Sequence, residues 1–89
     1  MTVRENENSI EEVILTFIKE QFPAASQVEL TTETHLFREG VVDSIGILLL
    51  VRMLEEQFSL SVDPSQMVLA NFETVRAMAE FVRSSKSEN

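Results

Sequence analysis

The sequence predicts an all-α fold, a small bundle of three long helices and one short helix with a long loop between helices one and two. Three observations lead there. Apolar side chains recur at helical spacing in three separate stretches, and capping residues or prolines stand at the ends of those stretches. The chain is also only 89 residues long, room for one modest core that buries about 60–65% of the surface of the unfolded chain.

Helix one is read between Ser9 and Phe22. Ile10, Val13, Ile14, Phe17 and Ile18 follow the i, i+3, i+4, i+7, i+8 pattern of an amphipathic helix, and Phe22 extends the stripe. Ser9 and Glu12 form a capping-box signature at its start. Pro23 ends it, because proline disfavours helical geometry in the residue before it.

From Pro23 to Asp43 the period disappears and small, polar and β-branched residues take over, among them Ser26, Thr31, Thr32 and Thr34. A connection this long in a small domain has a function or contains short structure of its own. Leu36 and Phe37 are expected to turn inward and pin it to the core, and Gly40 is the expected positive-φ position.

Helix two is read from Ser44 to about Phe58, with Asp43 as N-cap and Ile47, Leu50, Val51, Leu54 and Phe58 on its stripe. Leu48, Leu49 and Met53 widen the apolar surface, so this helix either sits centrally or leaves apolar side chains exposed. Asp63 and Pro64 open the short helix, Pro64 filling a first-turn position where its missing amide proton is not needed. The last helix is expected to begin between Asn71 and Thr74 and to bury Val75, Met78, Ala79 and Val82, with Phe72 beside its start. The expectation is a single domain over 1–89, ordered over about 9–84, with polar tails at 1–8 and 85–89.

Composition narrows the function. Cysteine is absent, so the chain offers no disulfide framework, thiolate metal site or thiol nucleophile, and any sulfur chemistry must come from a cofactor. Fifteen acidic against seven basic side chains give a net charge of −8. Such a surface repels nucleic acid and anionic membranes and attracts proteins with basic docking faces. No apolar run approaches the roughly 18 residues of a membrane span. The expected protein is a soluble, cytoplasmic monomer that binds no nucleic acid and inserts into no membrane.

The densest set of features that packing does not require lies in LFREGVVDSIGILLL, from Leu36 to Leu50. Asp43 and Ser44 stand side by side at a helix start, bracketed by Val41, Val42, Ile45 and Ile47. A helix N-terminus presents free amide donors and a partial positive charge, so a phosphate on Ser44 Oγ would be favoured there. The dipole contributes only about 0.3–1 kcal/mol at an exposed site, too little to make the serine reactive. Modification therefore needs an external enzyme.

Leu36, Phe37, Gly40, Asp43, Ser44 and Ile45 resemble the loop and Asp-Ser-Leu/Ile signature of acyl carrier and peptidyl carrier proteins. The resemblance covers nearly the whole chain: the end of helix one at Phe22, Leu54-Glu55-Glu56-Gln57-Phe58, Val62-Asp63 and Asn71-Phe72-Glu73-Thr74-Val75 fall where that family places them. It implies an acyl-carrier-like bundle in which Ser44 carries 4'-phosphopantetheine donated by coenzyme A, and in which Asp43 helps position the metal and substrate of a phosphopantetheinyl transferase. It also implies an acyl- or aminoacyl-loading ligase and downstream synthase or transferase enzymes as partners. The carrier itself catalyses nothing.

Carriers of fatty-acid synthesis place acidic residues along exposed helix two, where this chain has Gly46, Leu49 and Arg52. That difference favours partners with an apolar, less positive groove and a specialised pathway, secondary-metabolite or aminoacyl, over the housekeeping fatty-acid one. Ile45, Gly46, Leu49, Arg52, Glu55 and Glu56 form the expected partner-binding surface. Leu48, Leu49, Met53, Met67, Leu69 and Met78 are read either as ordinary core or as the lining of an acyl cavity. Gly46 reflects either close helix packing or close approach of the arm or a partner.

Three other functions compete with this reading. A hydrolase would need Ser44, His35 and Asp43 as a triad, but Asp43 is adjacent to Ser44 and poorly placed to orient His35. A calcium sensor would need an alternating ligand loop, for which Asp63-Pro64-Ser65 is a poor substitute. An unmodified helical adaptor would use the same helix-two surface and have no use for Ser44.

Overall fold

The computed structural model describes residues 9–87. Within them the α-helices are α1 (Ile10–Gln21), α2 (Ser44–Phe58), α3 (Leu69–Phe72) and α4 (Val75–Ser87), with two turns of 3-10 helix at Pro23–Gln27 and Pro64–Gln66.

At the start of α1 the Ser9 hydroxyl accepts a hydrogen bond from the Glu12 amide at 3.2 Å, the Ser9 half of the predicted capping box. The helix buries Ile14 and Ile18 completely, with Ile10 and Phe17 half-buried beside them. Phe22 leaves helical geometry at φ −120°, as the following proline requires. The chain does not become irregular there. Pro23 instead opens a 3-10 turn whose Ala25 enters the core, and the Ser26 hydroxyl closes it by donating to the Pro23 carbonyl at 2.9 Å. The connection thus contains short structure of its own, one of the two possibilities its length allows; its small residues carry no period to mark where.

The rest of the connection is held by backbone bonds to a distant part of the chain. The Leu36 amide donates to the Glu73 carbonyl at 2.8 Å, and the Arg76 amide donates to the Thr32 carbonyl at 3.0 Å. Leu36 is fully buried, and its carbonyl accepts from the amides of Val41 and Val42 at 2.9 and 3.1 Å. The intervening turn needs Gly40 at φ +75°, as expected.

Helix α2 buries Leu50, Met53 and Leu54, while Ile47, Val51 and Phe58 pack half-buried at the edge of the core. It stops where Ser59 adopts left-handed geometry, φ 53° and ψ 53°. The Leu60 amide then reaches back to the Glu55 carbonyl at 3.2 Å, which satisfies an end-of-helix acceptor.

Asp63 and Gln66 form a full capping box around the Pro64–Gln66 turn, so the predicted short helix is a single 3-10 turn. The predicted last helix begins at the late end of its expected range, as α4, with the separate short helix α3 ahead of it. Between α3 and α4 the Thr74 hydroxyl accepts from the Ala77 amide at 3.0 Å and starts a new helix, while the Glu73 carbonyl is taken by Leu36. Helix α4 runs on to Ser87, three residues beyond the predicted end at Ser84; the remainder of both predicted tails lies outside the described residues. Leu36, Leu50, Leu54, Phe72, Met78 and Val82 form the centre of the core with Ile14 and Ile18. Among the described residues no polar or charged side chain is buried, which suits a core too small to offset such a burial.

Candidate functional site

Asp43 and Ser44 stand at the junction of the long connection and α2, where the tied-down Val41 and Val42 deliver the chain. Both of those valines are buried, and both Asp43 and Ser44 are exposed. The Asp43 carboxylate caps the helix, Oδ1 accepting from the Gly46 amide at 2.8 Å, and the Asp43 carbonyl accepts the first intrahelical bond from the Ile47 amide at 3.1 Å. Ser44 is the first helical residue, so its hydroxyl is presented at the positive end of a fifteen-residue helix.

The expected partner surface divides. Ile45, Leu48 and Leu49 are 70%, 60% and 50% exposed, which settles Leu49 as surface and makes the excess apolar width of α2 an outward face. Arg52 and Glu56 lie on the surface as an i, i+4 pair at 3.6 Å. Gly46 does not belong to that surface. It is buried against helix α1's end: a β-carbon at position 46 would lie 2.6 Å from Phe22 Cε1 and 3.2 Å from Val42 Cγ1. Close packing is therefore the reason for this glycine. Glu55 is half-buried and committed within the chain, Oε2 accepting from the Val62 amide at 2.9 Å.

The six residues read as a possible cavity lining are not brought together. Met53 and Met78 belong to the core, whereas Leu48, Leu49, Met67 and Leu69 are exposed. A smaller apolar cleft of about 210 Å³ does open beside Ser44, lined by Ser44, Phe37, Ile47, Met67, Val68, Leu69 and Phe72. Sequence reasoning missed Val68 and the cleft itself; the uninterrupted Met67-Val68-Leu69 run just after a capped turn was the available signal.

His35 faces away from nucleophilic work. Its Nδ1 accepts from the Arg38 amide at 3.1 Å, and its Nε2 lies 3.4 Å from Glu73 Oε1. Both ring nitrogens thus brace the connection, and the Asp43 carboxylate is engaged by Gly46. Asp63, the residue a calcium loop would have used, accepts from the Ser65 amide and hydroxyl. Ser65 is also what holds the Asp63 carboxyl below its ordinary pKa.

Comparison with known proteins agrees with this geometry. The family model described as phosphopantetheine attachment site matches residues 12–82. The probable acyl carrier protein PigG of a Serratia species is 31% identical over 78 residues, covering 88% of this chain and 90% of that protein. The D-alanyl carrier protein of Lactococcus lactis is 37% identical over 54 residues, covering 61% of this chain and 68% of that one. The lincomycin biosynthesis protein LmbN of Streptomyces lincolnensis is 32% identical over 69 residues, 78% of this chain, and the chain spans only 25% of the length of LmbN. With an all-helical bundle, an exposed serine opening its second helix, and a family match that runs through most of the sequence, the chain belongs to the phosphopantetheine-attachment family of carrier proteins.

Proposed function

We propose that Ser44 is the attachment point for 4'-phosphopantetheine and that the chain works as a stand-alone, single-domain carrier in the cytoplasm, holding acyl or aminoacyl groups as thioesters. The observation that carries this is the exposed hydroxyl at the first position of α2. Its setting fits the group: helix-terminal amides and dipole favour a phosphodiester there, and no protein thiol exists to do the arm's work. The arm supplies the thiol on which cargo is held.

In the loading reaction Ser44 Oγ attacks the β-phosphorus of the coenzyme A pyrophosphate. An Oγ–P bond forms, the P–O bond to the nucleotide breaks, adenosine 3',5'-bisphosphate leaves, and the serine proton passes to a base of the transferase. His35 is committed to bracing the connection, so the proton is assigned to the transferase. Asp43 keeps the first turn in shape through Gly46 and offers a carboxylate beside Ser44 to the transferase and its metal.

Partner recognition is assigned to the outward face of α2: Ile45, Leu49, Arg52 and Glu56, with Leu48 added. An apolar face with a cation along it suits grooves that are apolar and not strongly basic. That supports service to an acyl- or aminoacyl-loading ligase and to synthases of a specialised pathway, and it agrees with the kinds of proteins this chain is similar to, a D-alanyl carrier and a lincomycin biosynthesis protein among them. The same exposed face would also serve an unmodified adaptor.

One experiment separates the two. The protein is incubated with coenzyme A and a broad-specificity phosphopantetheinyl transferase, and intact mass is measured. The carrier reading expects the mass of one phosphopantetheine on the wild type and none on Ser44→Ala, with stability changed by less than about 0.5 kcal/mol because the substitution is at the surface. A wild type that gains no mass favours the adaptor.

A further inference from the structure

Helices α1 and α2 pass each other in opposite directions. Phe22, at the end of α1, meets Gly46 in the first turn of α2, whereas Glu12 and Val13, at the start of α1, share a hollow with Gln57 near the end of α2. Between these two points of approach the surface stays open. One hollow, of about 350 Å³, has Val13, Phe17 and Met53 as its apolar part and Glu12 and Glu20 beside them. A second, of about 300 Å³, shares Phe17, Met53 and Gln57 with the first and extends to Leu49, Arg52 and Glu56. Together they form one groove. Its α1 side runs from Glu12 to Gln21, about 14 Å at the helical rise per residue.

Two features say what covers it. The first is charge. Glu12, Thr16 and Glu20 recur every four residues as an exposed row along α1, with Val13 and Phe17 one residue further round on the floor. Among the described residues neither Glu12 nor Glu20 has a cation partner. Lys19, the basic residue of α1, lies on another side of the helix, beside Ala25 and Val28. Arg52, on the α2 side, is already held by Glu56 at 3.6 Å. The α1 rim is therefore acidic and free. The second feature is continuity. Leu49, Arg52 and Glu56 line the groove and also belong to the outward face of α2, so a partner element seated on that face meets the edge of the groove.

We propose that the groove between α1 and α2 receives an amphipathic helix of a partner enzyme, whose apolar stripe enters against Phe17, Met53 and Leu49 and whose Lys or Arg flank meets Glu12 and Glu20. This rests on the reading of the outward face of α2 as the partner surface and extends that surface onto α1. An apolar channel between two helices accepts the ridge of a third, and its length matches an i, i+4, i+7 set of anchors on the incoming helix. The free carboxylates favour a basic flank and reject an acidic one. Ser44 lines neither hollow, so a helix held here leaves the serine uncovered.

The test uses the full-length apo protein, so its outcome does not depend on modification at Ser44. The probe is a short stapled helical peptide with a leucine stripe flanked by lysines, and a second peptide carries glutamates in place of those lysines. Amide chemical shifts are followed on titration. The lysine peptide should move Thr16, Phe17, Glu20 and Gln57, and the glutamate peptide should not. Glu12→Gln combined with Glu20→Gln should weaken binding roughly fivefold, the effect of two exposed ion pairs. Glu29→Gln combined with Glu39→Gln removes as much charge from exposed positions outside the groove and should leave binding unchanged. Shifts confined to Ile45 and Leu48 overturn the groove and leave the α2 face standing. Equal binding by both peptides, equal weakening by both double variants, or no binding overturns the groove as well. So do concentration-dependent shifts at these residues without peptide, which assign the groove to a second copy of the chain.

Discussion

Phe22 Cε1 occupies the space that a β-carbon on residue 46 would need, 2.6 Å from its ideal position. The end of α1 and the first turn of α2 therefore approach through a bare α-carbon, and Gly46→Ala tests that contact. Helix propensity alone favours alanine by about 1 kcal/mol, but overpacking a tight core typically costs about 1–3 kcal/mol. The Phe22 ring has little room to yield, since it is only 8% exposed and stands edge-on to Phe17 at 6.3 Å. Urea unfolding should show Gly46→Ala destabilised. In a Phe22→Leu background the same change should be neutral or stabilising, a non-additivity that a purely local effect of the glycine would not produce.

Glu55 acts on the chain's own backbone. Removing its carboxylate in Glu55→Ala strips the Val62 amide of its acceptor and should cost about 1.5–3 kcal/mol, the range for a hydrogen bond to a charged group. Glu55→Gln keeps an acceptor oxygen and should lose less. Hydrogen exchange at the Val62 amide reads the difference directly: faster in the alanine variant, nearly unchanged in the glutamine one. Equal exchange in all three proteins would return Glu55 to the partner surface.

The pair Glu11–Arg83 joins α1 to α4 with Nη2 to Oε1 at 2.8 Å. The hydrogen bond from Arg83 holds the Glu11 carboxyl below its ordinary pKa, against a smaller opposing effect of partial burial. A carboxyl lowered in the folded state contributes stability above its unfolded pKa and loses it as pH falls through the folded one. Glu11→Gln should therefore melt below wild type at neutral pH, and the two melting curves should converge on acidification. A constant gap from about pH 7 to pH 3 would assign the loss to packing and not to linkage.

Charge gives a prediction of the opposite breadth. A net charge of −8 on so short a chain should make the apo protein melt at lower temperature in low salt than with added salt or divalent cations, because screening weakens self-repulsion. Arg83→Gln, with one cation fewer, should steepen that dependence. A melting temperature flat against ionic strength would mean that the charges are too dispersed to matter.

The parts of the fold legible in the sequence are those set by residues near one another along the chain. The stripes of α1 and α2, the caps Ser9, Asp43 and Asp63, the stop at Pro23 and the positive φ of Gly40 each depend on a few neighbouring residues, and each is present. What escaped depends on residues far apart in sequence. The break between α3 and α4 accompanies a bond from the Leu36 amide to the Glu73 carbonyl, the role of Gly46 depends on Phe22, and that of Glu55 on Val62. The site divides in the same way. Asp43 and Ser44 are adjacent and could be read directly, whereas the cleft is assembled from three stretches of chain, around Phe37, Ile47 and Met67–Phe72, that no single spacing connects. Leu49 could not be placed because α2 is apolar around much of its circumference, and only packing decides which side faces out.

The two backbone ties from the long connection to the start of α4, Leu36 to Glu73 and Thr32 to Arg76, bear on the order of events during synthesis. As the chain emerges from the ribosome, α2 can coil before residues 73–76 have been translated, but the stretch leading into Ser44 has nothing to fasten to. The serine gains its folded surroundings only once residues 73–76 are available to the connection. A modifying enzyme that recognises those surroundings meets an incomplete target on any chain that stops short of them.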